Sequence, residues 1–129
     1  MRQTEMFQFI IDGELPNLNA YIDAERTNKY IAAKMKKDAT NKVVTFIKRE
    51  KNRPHLNNIE LIIRYYCKNK RIDKDNIAFV KKFILDGLEK SGIIPSDGWK
   101  NIDGWIELFM IDKQNPRIEI TIFEIEKEK

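Results

Sequence analysis

The chain has 129 residues, 42% hydrophobic and 10% aromatic, with 24 Lys and Arg against 20 Asp and Glu and a net charge of +4. That length suits a single domain over residues 1–129 with one core, and the apolar content excludes a disordered chain. The lone Cys67 and lone His55 exclude an internal disulfide, a cysteine-built zinc site, a Ser–His triad and a His-rich metal centre, while the lack of a long apolar run or apolar leader predicts a cytoplasmic protein with no membrane association.

"MFQFIID" (6–12) alternates Phe7, Phe9 and Ile11 with polar residues and predicts a short half-buried strand, broken by Gly13 and Pro16 of "GELPNLN". From Ala20 to Lys51 neither Pro nor Gly interrupts the chain. Ile31, Met35, Ala39, Val43 and Phe46 recur at helical spacing, which predicts one long helix packed on that face. Lys34, Lys37 and Lys48 fall on the opposite face. Between Arg26 and Arg53, ten Lys and Arg residues face only Asp38 and Glu50, an excess of eight. The acidic residues gather elsewhere, as in the terminal "FEIEKEK". This asymmetry suits either a polyanion such as nucleic acid or an ordinary solvated face.

"IELIIRYYC" (59–67) is β-branched and aromatic and predicts a buried strand, followed by the charged loop "KNKRIDKD". A second helix is expected from about Asn76 to Lys90, with Ile77, Val80, Ile84 and Leu88 as its core stripe and Gly92 past its end. After the turn "IIPSDGWKN", the segments "IDGWIELFMI" and "PRIEITIFEI" predict two strands joined by "DKQNP". The order β-α-β-α-β-β argues for an α/β (α+β) domain, two helices on one mixed sheet, with the strand order unreadable from the sequence.

Two aspartates, Asp73 and Asp75, sit one residue apart at the mouth of the second helix. On a helical wheel Asp75 and Lys82 lie about 20° apart, with Asp86 near them and all turned from the core stripe. Like charges this close repel. A hard divalent cation relieves the repulsion, and Mg²⁺ on carboxylate oxygens can orient and acidify an attacking water in phosphodiester hydrolysis. A neighbouring lysine can stabilise charge on the leaving oxygen. The same residues also suit a solvated helix cap, with Asp75 or Asn76 at the N-cap and Asp73 paired with Lys70 or Arg71.

"DKDN", a helix ending "KKFILDGLEKSGII" and then "SDGW" resemble the RusA family of Holliday-junction resolvases. The opening "FIIDGELPNLNAYI" and the closing "NPRIEITI" are similar to that family's first and last strands, so the likeness spans most of the chain. The resemblance implies a Mg²⁺-dependent (or Mn²⁺-dependent) endodeoxyribonuclease that resolves branched DNA as a homodimer in recombination and repair. It assigns Asp73, Asp75 and Asp97 as metal-binding carboxylates and Lys82 as an electrostatic catalyst. Three extra residues separate Asn76 from Lys82 relative to the family pattern, which leaves Lys81 as the alternative lysine. Lys34, Lys37 and Lys48 on the first helix, and Lys68, Lys70, Arg71 and Lys74 in the loop, are expected to grip phosphates. A branched-DNA-binding protein of the same fold that does not cut is the competing expectation. Asp86 is read as a structural partner of Lys82 or Lys90, and Trp99 and Trp105 as packing on a sheet edge or dimer interface rather than stacking on bases. His55 is expected at the surface and Cys67 in the core.

Overall fold

The computed structural model describes the backbone of residues 2–126 and the side chains of residues 6–126; the last three residues of the acidic "FEIEKEK" segment lie outside that range. In chain order the elements are β1 Arg2–Asp12, α1 Leu18–Thr27, α2 Lys29–Lys48, β2 Ile59–Cys67, α3 Lys74–Ala78, α4 Lys81–Lys90, β3 Ile102–Ile111 and β4 Arg117–Glu126. The expected mixed α/β class holds, but each expected helix is divided in two.

The first division falls at Asn28, whose backbone is extended (φ −171°, ψ 131°). Its N–H still closes α1 by donating to Ala24 O, and its side chain starts α2 by accepting from Tyr30 N at 2.7 Å. One asparagine thus ends one helix and caps the next. The buried face of α2 keeps Ala39 and Val43 of the expected stripe but not its two ends. Ala32, Ala39, Val43 and Ile47 are buried with Thr40, whereas Ile31 is exposed and Met35 and Phe46 are half-buried. The expected Ile31–Phe46 stripe is corrected accordingly. The second division falls at Phe79 and Val80, where Val80 N, Lys82 N and Phe83 N each donate to the carbonyl three residues back. These tighter turns separate α3 from α4 without reversing the chain.

The four strands form one sheet in the order β1-β4-β2-β3. β4 runs antiparallel to both β1 and β2, and β3 lies parallel to β2. Parallel neighbours need a crossover, which the α3–α4 segment supplies. Side chains alternate across the sheet, so Phe7, Phe9, Ile11, Leu61, Ile63, Tyr65, Ile118, Ile120 and Ile122 all join one buried core with Val43, Ile47, Phe83, Ile84 and Leu88. The packing of α2 on α4 is tight at Gly87: a Cβ there would lie 2.5 Å from Val43 Cγ1. Gly92, at φ +82°, takes the left-handed conformation expected past a helix end. The opposite sheet face carries no helix and leaves Ile10, Ile106 and Leu108 substantially exposed. No helix among the described residues is long and apolar enough to cross a membrane.

Candidate functional site

The loop after β2 is shaped by Asn69, whose side-chain oxygen accepts from Arg71 N at 3.0 Å. Helix α3 then begins at Lys74, and its N-cap is Asp73 rather than Asp75 or Asn76. Asp73 uses its backbone carbonyl, which accepts from Asn76 N and Ile77 N, both at 3.1 Å. Its carboxylate makes no capping bond. Asp75 Oδ1 accepts only from the adjacent Asn76 N, at 3.0 Å. Both carboxylates are exposed, and neither makes an ion pair among the described residues, with Lys70 and Arg71 included. They line a groove with Lys70, Lys74 and the β3 residues Phe109 to Ile111.

Asp97 lies elsewhere. Its N–H donates to Glu89 Oε1 at 3.1 Å, and it borders a different groove with Trp99, Ile102, Gly104 and Trp105. The two grooves sit at opposite ends of β3, and Ile102 and Ile111 are nine strand residues apart, roughly 30 Å at the usual rise. Among the described residues no group of three or more His, Cys, Asp or Glu side chains could hold one metal ion. Asp73 and Asp75 thus line one groove and Asp97 another.

Asp97 instead neighbours Asp86. Burial pushes the Asp86 carboxyl above its ordinary range, against the pull of Lys82, and a hydrogen bond shared with the Asp97 side chain pushes it further. Lys82 Nζ lies 3.6 Å from Asp86 Oδ1, which is the pairing expected for Asp86.

The two candidate lysines differ in what holds them. Lys81 Nζ donates to Glu107 Oε1 at 2.9 Å, and both side chains are largely buried, 21% and 16% exposed. Tyr65 OH donates to the other Glu107 oxygen at 2.9 Å. Lys81 also lies 4.5 Å from the centroid of the Trp105 ring. Lys82 is 52% exposed and makes a longer contact, 3.6 Å to Asp86. Glu107 was not singled out in the sequence; its signal is a charge in the core-facing register of β3, between Trp105 and Phe109.

Trp99 is 98% exposed, and Trp105 is 45% exposed beneath Lys81. His55 is exposed as expected, its Nδ1 2.6 Å from Gly92 O, and Cys67 is half-buried rather than fully buried. Lys34, Lys37, Lys48, Lys68, Lys70, Arg71 and Lys74 are all exposed. Lys34 pairs with Asp38 at 2.8 Å and Lys68 with Glu14 at 3.7 Å. Glu14 also borders the groove that Lys34 and Lys42 line, so the upper end of α2 and the loop after β2 are continuous across the β1–α1 turn. Lys48 is fourteen residues beyond Lys34, about 21 Å along the helix, and stands apart from that surface.

No protein-family model matches the chain, and no curated protein matches it.

Proposed function

We propose that this chain is an endodeoxyribonuclease of RusA type that hydrolyses phosphodiester bonds in branched DNA, four-way junctions included, in recombination and repair. One observation carries the reading: Asp73 and Asp75 present two exposed carboxylates, without ion pairs among the described residues, in a groove whose other charged members are Lys70 and Lys74. Repulsion between such carboxylates is relieved by a hard cation, and lysines beside them attract the phosphate that shares it. Lys34, Lys37, Lys68, Lys70, Arg71 and Lys74 supply phosphate contacts that give affinity without base reading. Mg²⁺ or Mn²⁺ is the cation this function calls for. One protomer offers it Asp73 and Asp75 but not Asp97, so no catalytic step through the metal is assigned to the isolated chain.

A homodimer supports the reading in a specific way. β3 is an edge strand with Ile106 and Leu108 exposed beside its unpaired backbone groups, and such edges pair readily with another strand. Antiparallel pairing of two β3 strands about a two-fold axis sets the Asp97 end of one protomer beside the Asp73–Asp75 end of the other. Two nicks related by symmetry, as a four-way junction requires, then follow from two equivalent composite sites.

The test is a Mg²⁺ titration of purified protein with a synthetic four-way junction. Nicking that rises with Mg²⁺ and is abolished by Asp75→Asn, with junction binding retained, supports the reading. Undiminished cleavage by the Asp75→Asn protein rejects it, and junction binding without product at any Mg²⁺ concentration favours a DNA-binding protein that does not cut.

A further inference from the structure

Lys48 stands about 21 Å from Lys34 along α2, and the helix face between them carries further cations. Lys37, Asn41 and Lys48 are four and seven residues apart, so their side chains leave α2 within about 40° of one another. Asn41 brings in a cation from another helix. Lys90 Nζ, in the last turn of α4, donates to Asn41 Oδ1 at 2.6 Å. Lys90 thus reaches α2 rather than Asp86, and its ammonium is held between Lys37 and Lys48. At the rise of a helix the three cations are spaced by roughly 6 and 10 Å along one line.

The stripe is open to an anion. Lys37, Lys48 and Lys90 are exposed, and none makes an ion pair among the described residues. Asp38, beside the stripe, is taken by Lys34 at 2.8 Å. The far end would ordinarily repel a phosphate, because the last carbonyls of a helix carry partial negative charge. Here Arg53 covers them: its Nη1 donates to Lys48 O and Glu50 O, both at 2.9 Å. Arg49 and Lys51 add exposed cations to the same turn, against Glu50 alone. Between Lys37 and Lys48 the one aromatic residue is Phe46, half-buried under the Arg49 guanidinium.

Single strands are held by aromatic platforms that stack on their bases; a line of ammonium groups without such platforms grips phosphates alone. We infer that the Lys37–Lys90–Lys48 stripe is a phosphate track that seats one duplex arm of the DNA, remote from the Asp73–Asp75 groove. The inference rests on the nuclease reading and adds to it a second contact with a defined reach. Each strand presents one phosphate per ~3.4 Å of duplex axis, so the track from Lys34 to Lys48 corresponds to about six base pairs. Its Lys34 end adjoins the turn that Lys68 shares through Glu14, so the arm runs away from the carboxylates along α2. Lys90 is the residue that makes the track continuous.

The test compares wild-type protein with Lys48→Gln, Lys90→Gln and the double variant, each binding a synthetic four-way junction in EDTA. Both side chains are exposed, so the substitutions leave the core untouched. The double variant is expected to bind about tenfold more weakly at moderate salt, with the slope of log affinity against log salt reduced by about 2. Hydroxyl-radical footprinting is expected to lose protection on the distal part of one arm, about six base pairs out, while protection at the branch remains. Lys90→Arg keeps the charge and is expected to bind like wild type. Asn41→Leu releases Lys90 and is expected to weaken binding in wild type but not in a Lys90→Gln background. An unchanged salt slope and footprint in the double variant, with the junction still bound, overturns the track and leaves the nuclease reading standing. Equal weakening by Lys90→Arg and Lys90→Gln does the same. Failure of every DNA to bind the wild-type protein at low salt overturns both.

Discussion

Lys81 and Glu107 form a largely buried ion pair at 2.9 Å between α4 and β3, and Tyr65 OH completes the carboxylate from below. The adjacent Lys82 points instead to solvent and Asp86. The two lysines therefore separate by phenotype. Glu107→Ala strands a buried ammonium and is expected to cost about 3 kcal/mol, and Lys81→Ala strands the carboxylate with a similar loss. Lys82→Ala is expected to change stability by no more than about 0.5 kcal/mol while sharply lowering Mg²⁺-dependent nicking. Urea unfolding and junction cleavage on the same preparations check this; a stable, fully active Lys82→Ala protein returns the catalytic role to Lys81.

The position of Asp97 at the far end of β3 from Asp73 and Asp75 yields a mixing experiment. Asp75→Asn and Asp97→Asn proteins are each expected to be inactive. In the proposed dimer, co-expression is expected to give heterodimers in which one composite site has both substitutions and the other has none. Recovery of single-strand nicking is therefore expected from the mixture. No recovery, with heterodimers shown by mass spectrometry, means that all three carboxylates act from one chain.

Gly87 sits where α4 crosses α2, with Val43 in the space its Cβ would take. Alanine at a helix interior position normally gains about 1 kcal/mol over glycine. Overpacking here costs about 1–3 kcal/mol, so Gly87→Ala is expected to lower stability despite its better propensity. A Val43→Ala background removes the Cγ1 contact but leaves the Cβ at position 43, 2.9 Å from the added carbon, so the same substitution is expected to cost less there than in wild type. A double-mutant cycle by urea unfolding measures the coupling; additive effects dismiss the contact.

Asp86 makes stability depend on pH. Its folded-state pKa is raised, by burial first and by Asp97 against the pull of Lys82, so the folded protein holds that proton more tightly than the unfolded chain. The resulting contribution is fully present below the ordinary carboxylate value of about 4 and is lost as pH rises through the raised value. Asp86→Asn removes the penalty of the ionised form. The variant is expected to melt higher than wild type at pH 7, with the advantage shrinking towards pH 3. An advantage that stays constant with pH assigns the effect to something other than ionisation.

The strands were legible as β-branched and aromatic segments: β2 at 59–67 and β3 at 102–111 fall where those segments lie. The helix divisions were not. Asn28 lacks the signature of Pro or Gly, and its double role as end and start depends on where α1 and α2 dock. Within α2 the buried Ala39 and Val43 are flanked by Ala32 and Ile47 rather than by Ile31 and Phe46. The Asp73–Asp75 pair could be read as a surface carboxylate pair because adjacency in sequence fixes it. The distance to Asp97 could not, since it depends on β3 running parallel to β2, and strand direction leaves no local trace in residue pattern. Glu107 and Tyr65 meet for the same long-range reason.

The sheet order carries a consequence for biosynthesis. β4 lies between β1 and β2, so β1 gains its β4 pairing only once residues 117–126 have been made. Pairings between such distant segments form slowly, and strands left waiting are open to other chains. A nascent chain stalled before Arg117 can pair β2 with β3 across α3 and α4, but β1 waits for β4.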